Sequence, residues 1–351
     1  MRRSSIALCT SVVLSSLTAM AEQPLRSPWD GKPVTMTSTP YTCPASPDIP
    51  PDLTTDGFYR LDDPTHSIID PARQAAYNKS SGPVKAAGQA IVAAADAYRT
   101  TGSRQAAECV VKMIDTMAKQ HSLTGKMSSN QAYYVQGWVV GAIAIGYLKV
   151  RDTHLATPEQ AKSIGDWLVS AGAETKSYFD PRQAKGTSDA RNNHLYWAGV
   201  ELAAIGVAAN NRTDFDWAVA TYDAGVKQIR PDGTLPLEMA RGKRALHYHL
   251  YALAPLVMIA EFGEANGMDL YAHSSGAIHR LADVSIAGLS NPELFAKATG
   301  VQQEVSARPS GDQIGWAPPY EQRFPDPQLA KYIANAPSLS VYYLGGLPPK
   351  T

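Results

Sequence analysis

The chain has 351 residues, 44% of them hydrophobic, with 32 basic side chains against 32 acidic ones. So balanced a charge supplies no global field for nucleic acid or an anionic membrane surface, and any polyanion must be held by a local cluster. The length allows a large core in one domain or two.

At the start, Arg2 and Arg3 precede an apolar stretch over 6–17, and the segment ends Ala19-Met20-Ala21. This is the pattern of a secretory signal peptide over residues 1–21, cleaved before Glu22. Its apolar stretch is too short to anchor in a bilayer, and no uninterrupted apolar run of about 18 residues follows. The mature chain is expected to be exported, periplasmic, monomeric and without a membrane anchor. Residues 1–21 hold two arginines and no acid, so the mature net charge is 30 minus 32, about −2. Cys9 lies in the leader, leaving Cys43 and Cys109. In an oxidising compartment two cysteines favour one disulfide, here joining the N-terminal arm to a helix; two buried thiols are the alternative. Their spacing does not match the common zinc patterns.

Residues 22–82 are rich in Pro, Asp, Ser and Thr and close with DDPTHSIIDPARQAAYNKSSG. A loop of that length inside a compact domain is usually functional or disordered. The segment is therefore either a lid or a surface arm tied down by the disulfide.

From Pro83 onward, apolar residues recur at three-and-four spacing over 83–99, 103–121, 130–150, 158–173, 190–209, 213–229, 236–263, 276–288 and 292–299. That period predicts helices. Thr157-Pro158-Glu159 adds an N-cap followed by proline at the first helical position. Short breaks such as Asn210-Asn211-Arg212 and Asp232-Gly233 imply antiparallel helix pairs. No alternating β-branched run is long enough for a substantial sheet. An all-α class is predicted, with residues 83–351 an irregular toroid of helix pairs whose cleft crosses the helix ends. One stretch interrupts the pattern, EVSARPSGDQIGWAPPYEQRF over 304–324. Its Trp316, Tyr320 and Arg323 are either sugar contacts or anchors of a Gly/Pro-rich loop.

Two constellations carry chemistry. In RGKRALHYHLYA, residues 241–252, helical rotation places Arg241, Arg244, His247, Tyr248 and Tyr251 within roughly a third of the circumference. His249 points elsewhere, which argues against an HxH metal pair. Leu246, Leu250, Leu253 and Leu256 clothe the remaining faces, so the two guanidiniums sit on a largely enclosed helix and need anionic partners. The second constellation is RNNHLYWAG, residues 191–199. A helix N-terminus with its free N–H groups, the amides of Asn192 and Asn193 and the imidazole of His194 can accept a carboxylate, with Trp197 one turn on as a stacking wall. Read alone, the asparagines are equally ordinary caps and His194 a satisfied core histidine. Together the two patches supply what β-elimination from an anionic sugar chain requires. Asn193 and Arg241 would neutralise the C5 carboxylate, and His194 and Tyr248 have suitable chemistry for the base and the acid.

NNHLYWAG over 192–199, the step from His194 to Arg241, and RALHYHLYALAPL over 244–256 resemble the alginate lyases of polysaccharide lyase family 5, as does GWAPPYE near the C-terminus. The resemblance covers about residues 40–347. It implies an incomplete (α/α) toroid with a mobile lid near residues 60–82, a disulfide between Cys43 and Cys109, and metal-independent β-elimination of polymannuronate without a cofactor. By the same resemblance Asn193 and Arg241 bind the carboxylate, His194 assists as neutraliser or base, and Tyr248 is the acid, either sharing the proton transfer with His194 or serving as the base as well. Arg244, Tyr251 and Trp197 are implied as substrate contacts. Leu195, Leu250 and His247 depart from the family pattern, and His247 adjoins the proposed acid, so substrate choice is where this chain is expected to differ. Mannuronate and glucuronate differ at C2 but share the geometry of the C5–H and C4–O bonds. Glucuronan and hyaluronan are therefore credible further substrates and polyguluronate, inverted at C5, a poor one. A glycoside hydrolase on the same toroid, with Glu201 and Glu238 the nearest acids, and a non-catalytic polysaccharide-binding or export factor are the competing readings.

Overall fold

Helix starts coincide with side chains that can satisfy free N–H groups. In the computed structural model, which describes residues 23–306 and 308–349, Asp70, Ser103, Ser129, Thr157, Asn192 and Asn211 each accept a backbone hydrogen bond at a helix N-terminus. Thr157 completes a reciprocal capping box with Gln160. The leader-like residues 1–21 lie outside the described residues.

The α-helices among the described residues are α1 (Pro71–Thr101), α2 (Arg104–Lys119), α3 (Asn130–Leu148), α4 (Pro158–Ala184), α5 (Asn193–Ala209), α6 (Arg212–Val226), α7 (Pro236–Met239), α8 (Ala245–Ala265), α9 (His273–Ser290), α10 (Glu293–Thr299), α11 (Ala317–Arg323) and α12 (Pro327–Asn335). β structure among them is limited to isolated bridges such as Thr37 with Ser103 and Leu53 with Met127. Helices α1, α3, α5 and α8 pack side by side as an inner row, and α2, α4, α6 and α9 pair with them outside. The fold is a single all-α (α/α) toroid.

Helices α3, α5 and α8 are apolar around most of their circumference because most of it is covered. Leu246, Leu250, Leu253 and Leu256 of α8 have no exposed surface, each contributing about 1.5–3 kcal/mol relative to an exposed leucine. Close approach of α3 to α5 depends on Gly141, where a Cβ would stand 3.1 Å from the Glu201 Cα.

Three sequence expectations are corrected. Residues 71–82 are not loop but the first turns of α1, which begins at Pro71 behind the Asp70 cap. Pro83 sits within that helix, and Ser80 and Ser81, read as a break, bond back to Ala76 and Tyr77 carbonyls. The single helix expected over 236–263 is broken, since α7 ends at Met239 and α8 starts at Ala245, with Gly242 at φ +55° between them. The loop expected over 304–324 contains α11.

The N-terminal arm is packed rather than free. Leu25, Trp29, Ile49 and Leu53 are buried in the core, and the Cys43–Cys109 disulfide ties the arm to α2 with its Cα atoms 5.6 Å apart. What remains of the polar segment is a hairpin over 59–70. Its Asp63 carboxylate accepts from the backbone N–H groups of Thr65, Ser67 and Ile68 and from the Thr65 hydroxyl, and Tyr59 bridges Ile69. At the far end of the chain, buried Lys149 donates to the carbonyls of Gly345 and Leu347 and to Asp96, holding the segment that bears Tyr342 and Tyr343.

Candidate active site

The break at Gly242 sets the geometry. Arg241 and Arg244 leave the helical path and fold back over the first turn of α8, so the guanidinium carbon of Arg241 lies 3.5 Å from the Tyr248 ring centroid and that of Arg244 5.2 Å from it. The convergence expected from helical rotation is present, although a turn rather than a continuous helix produces it. The tip of the hairpin closes against this group. Arg241 donates to the carbonyl oxygens of Thr65 and His66, at 2.8 and 2.6 Å. Arg244 donates to the Tyr59 hydroxyl at 2.5 Å, which in turn is 3.0 Å from the Tyr248 hydroxyl. Among the described residues, neither guanidinium bonds to a carboxylate; these neutral oxygens are their partners.

Tyr248 is buried. Burial pushes its phenol up most, the adjoining Arg241 opposes that, Tyr59 adds to the rise, and Arg244 again opposes it. The phenol is thus protonated at neutral pH with two cations at hand to stabilise its ionised form.

From α5, Asn193 is fully buried. Its backbone N–H and side-chain Nδ2 both donate to the Glu238 carboxyl, at 2.9 and 3.0 Å, and its Oδ1 is buried without a partner. Asn192, not Asn193, is the helix cap. His194 stacks on Tyr134 with ring centroids 3.9 Å apart and planes within 13°. Burial, and then the nearby Arg241 charge, lower its pKa to about 3, so its ring is neutral at physiological pH. Its Nδ1 is buried and unpartnered. Behind it, Tyr134 and Tyr178 both donate to Asp189, which also pairs with Arg182.

His247 stacks parallel to Tyr251 and edge-on to Tyr248, at 6.0 and 5.1 Å. Tyr251 meets Trp197 at 4.9 Å, which joins the α5 and α8 constellations in one site. Trp197 itself is only 2% exposed, so it backs the wall made by Tyr251 and Tyr343 instead of offering a free face. His249 lies in the core, with Nδ1 bonded to the Ala245 carbonyl and Nε2 accepting from the Leu235 N–H.

Trp316, Tyr320 and Arg323 are not part of this site. Trp316 and Tyr320 are buried packing residues, the latter bonded to His279. Arg323 pairs with Glu261 and Glu264 near the end of α8 remote from Tyr248. The motif's Gly and Pro residues suggested an open loop, but they introduce a short helix. Sequence reading missed Tyr59, Tyr134, Trp138 and Tyr343. The i, i+4 aromatic pair Tyr134 and Trp138 was a usable signal for a common face. Nothing local marks Tyr343, whose ring reaches Trp138 and Trp197 at 5.1 and 6.1 Å.

Two arginines with neutral partners, a buried tyrosine beneath them and a neutral histidine in an aromatic wall suit an acidic sugar chain. The alginate lyase family matches residues 56–295 of the chain. The chain belongs to that family. A polysaccharide lyase of Stenotrophomonas maltophilia (strain K279a) is 37% identical over 287 residues, 81% of this chain and 82% of that one. An alginate lyase of Azotobacter chroococcum mcd 1 is 31% identical over 293 residues, covering 82% and 78%. The crystal structure of alginate lyase A1-III from Sphingomonas species A1 superposes with TM-score 0.74 at 24% identity, over 88% of this chain and 86% of that one. A variant of the same enzyme complexed with a tetrasaccharide gives TM-score 0.73 at 25% identity over the same shares. As a family member the chain is a polysaccharide lyase, which sets aside the hydrolase and the non-catalytic readings. The two acids considered for hydrolysis are likewise unsuited to it. Glu201 is wholly buried, bonded to Thr175 and pushed up to about 8 by burial, and Glu238 is occupied by Asn193.

Proposed function

We propose that the enzyme cleaves β-1,4-linked uronans by β-elimination, with polymannuronate as its main substrate and glucuronate-containing chains such as glucuronan or hyaluronan as further ones. The observation that carries this reading is the pair Arg241 and Arg244, converging on the Tyr248 ring with neutral partners alone. A uronate carboxylate placed there takes the positive charge that the hairpin carbonyls now share.

Neutralising that carboxylate acidifies the C5 proton, a task given to Arg241 with Asn193, so the scheme needs no metal ion. The C5–H and C4–O bonds lie on the same side of a mannuronate ring, and one group can serve both in turn. Tyr248 first releases its phenolic proton to solvent, its ionised form being stabilised by Arg241 and Arg244; the phenolate then takes the C5 proton and returns it to the departing O4. The neutral imidazole of His194 donates or accepts a hydrogen bond and is not a cationic neutraliser. Arg244, His247 and Tyr251 contact the sugar, with Trp197 behind them. The disulfide supports the reading that the mature protein works in an oxidising space outside the cytoplasm.

The test is a panel of polymannuronate, polyguluronate, glucuronan and hyaluronan, followed by ultraviolet absorbance of the unsaturated uronate product. Absorbance rising with polymannuronate and not with polyguluronate is the expected result. Faster turnover of polyguluronate than of polymannuronate would overturn the assignment.

A further inference from the structure

Asn193 and Glu238 are both buried, at 0% and 1% exposure, and each is the other's principal polar partner. The Asn193 backbone N–H donates to Glu238 Oε1, while Nδ2 spans Oε1 and Oε2 at 3.0 Å each. With Glu238 as a carboxylate, one Nδ2 hydrogen is shared between Oε1 and Oε2 and Oδ1 is left buried with no donor. A buried carbonyl oxygen without a donor is destabilising, and it has no hydrogen to offer a uronate carboxylate. Turning the amide over by half a rotation and adding one proton to Glu238 removes both problems. Oε1 still accepts from the Asn193 backbone, Oε2–H donates to Oδ1, and Nδ2 is released as a free pair of donors.

We propose that Glu238 is the positioning residue for Asn193 and acts as a neutral acid, its proton fixing the amide so that Nδ2 faces the substrate carboxylate. The inference rests on the reading above, in which Asn193 neutralises that carboxylate. Burial pushes the Glu238 carboxyl up against the pull of Asn193 and of Arg241. The charged and titratable groups facing it are Arg241, which follows α7, and the buried phenol of Tyr196 on α5, itself uncharged because burial raises it. Arg241 is held off by its bonds to the hairpin carbonyls, and on substrate binding its charge is met by the uronate.

Glu238→Gln separates the two states, since a glutamine can donate to Oδ1 and accept from the backbone N–H but cannot carry a negative charge. It is expected to keep kcat within about threefold, whereas Glu238→Leu, which cannot donate, loses about a hundredfold in kcat with little change in KM. In infrared difference spectra of wild type minus Glu238→Gln at neutral pH, a protonated-carboxyl band is expected. Any fall in wild-type kcat at alkaline pH that comes from Glu238 should be absent in the glutamine variant. A glutamine variant that melts like wild type but loses as much activity as the leucine variant, or an ionised-carboxylate band in the difference spectrum, overturns the proposal. Asn193→Ala distinguishes the failures. Near-normal kcat there sinks the role given to Asn193, while loss of kcat there combined with an inactive, folded Glu238→Gln sinks only the role given to Glu238.

Discussion

The guanidinium of Arg241 lies 3.5 Å from the Tyr248 ring centroid and at the same time bonds the carbonyls of Thr65 and His66. One side chain therefore joins Tyr248 to the hairpin over 59–70. Arg241→Lys keeps the charge but loses the planar fork that stacks and donates twice. It is expected to lower kcat on polymannuronate by about ten- to a hundredfold, measured from initial rates of product absorbance. A lysine variant with wild-type kcat would show that charge alone suffices.

Removing the phenolic oxygen tests the proton transfer directly. Tyr248→Phe keeps the ring beneath both arginines and is expected to cut kcat by at least about a thousandfold while KM moves by less than about threefold. Equal losses in kcat and affinity would instead mark Tyr248 as a binding residue.

One buried and two half-buried imidazoles make the fold sensitive to acid. Burial lowers His194 and His247 to about 3 and His249 to about 4, below the ordinary value near 6.5 of an unfolded chain. The unfolded state takes up protons first as pH falls. The stability these groups contribute is therefore complete above about pH 6.5 and is lost progressively between there and about pH 4, at up to about 1.4 kcal/mol per pH unit for fully buried His249. Thermal melting from pH 8 to pH 4 should show this fall, with a shallower slope in His249→Gln. A melting temperature independent of pH below 6.5 would contradict it.

The arm depends on its covalent tie. Reduction of the Cys43–Cys109 bond, whose ends are 66 residues apart, is expected to lower unfolding free energy by about 2–4 kcal/mol. Denaturant titration with and without reductant, or of Cys43→Ser with Cys109→Ser, measures it.

Arg323 belongs to the scaffold. Arg323→Ala strands buried Glu261 and is expected to cost about 3–5 kcal/mol of stability, with KM for polymannuronate unchanged. A raised KM at full folding would return it to the substrate site.

Much of this was legible in the sequence wherever the signal was local. Three-and-four spacing located α2, α3, α5 and α6 to within a few residues, because burial of those faces is what folds them. The chemistry of Arg241, Arg244 and Tyr248 was legible because the residues are close in sequence. Periodicity failed at Gly242, where apolar spacing runs through a left-handed residue without showing the break. It failed again at residues 71–82, where polar composition concealed a helix that Asp70 caps and Tyr77 anchors. Tyr59 and Tyr343 could not be read at all, because only tertiary packing brings them to the cleft.

Those two tyrosines imply an order of assembly. Tyr59 reaches Tyr248 from one end of the fold and Tyr343 reaches Trp138 and Trp197 from the other, through contacts between residues far apart in sequence. Such contacts carry the largest loop-closure cost and form late. A partly folded chain thus holds its helix pairs before it holds a complete cleft. Loss of turnover should accordingly precede loss of helicity during gradual unfolding.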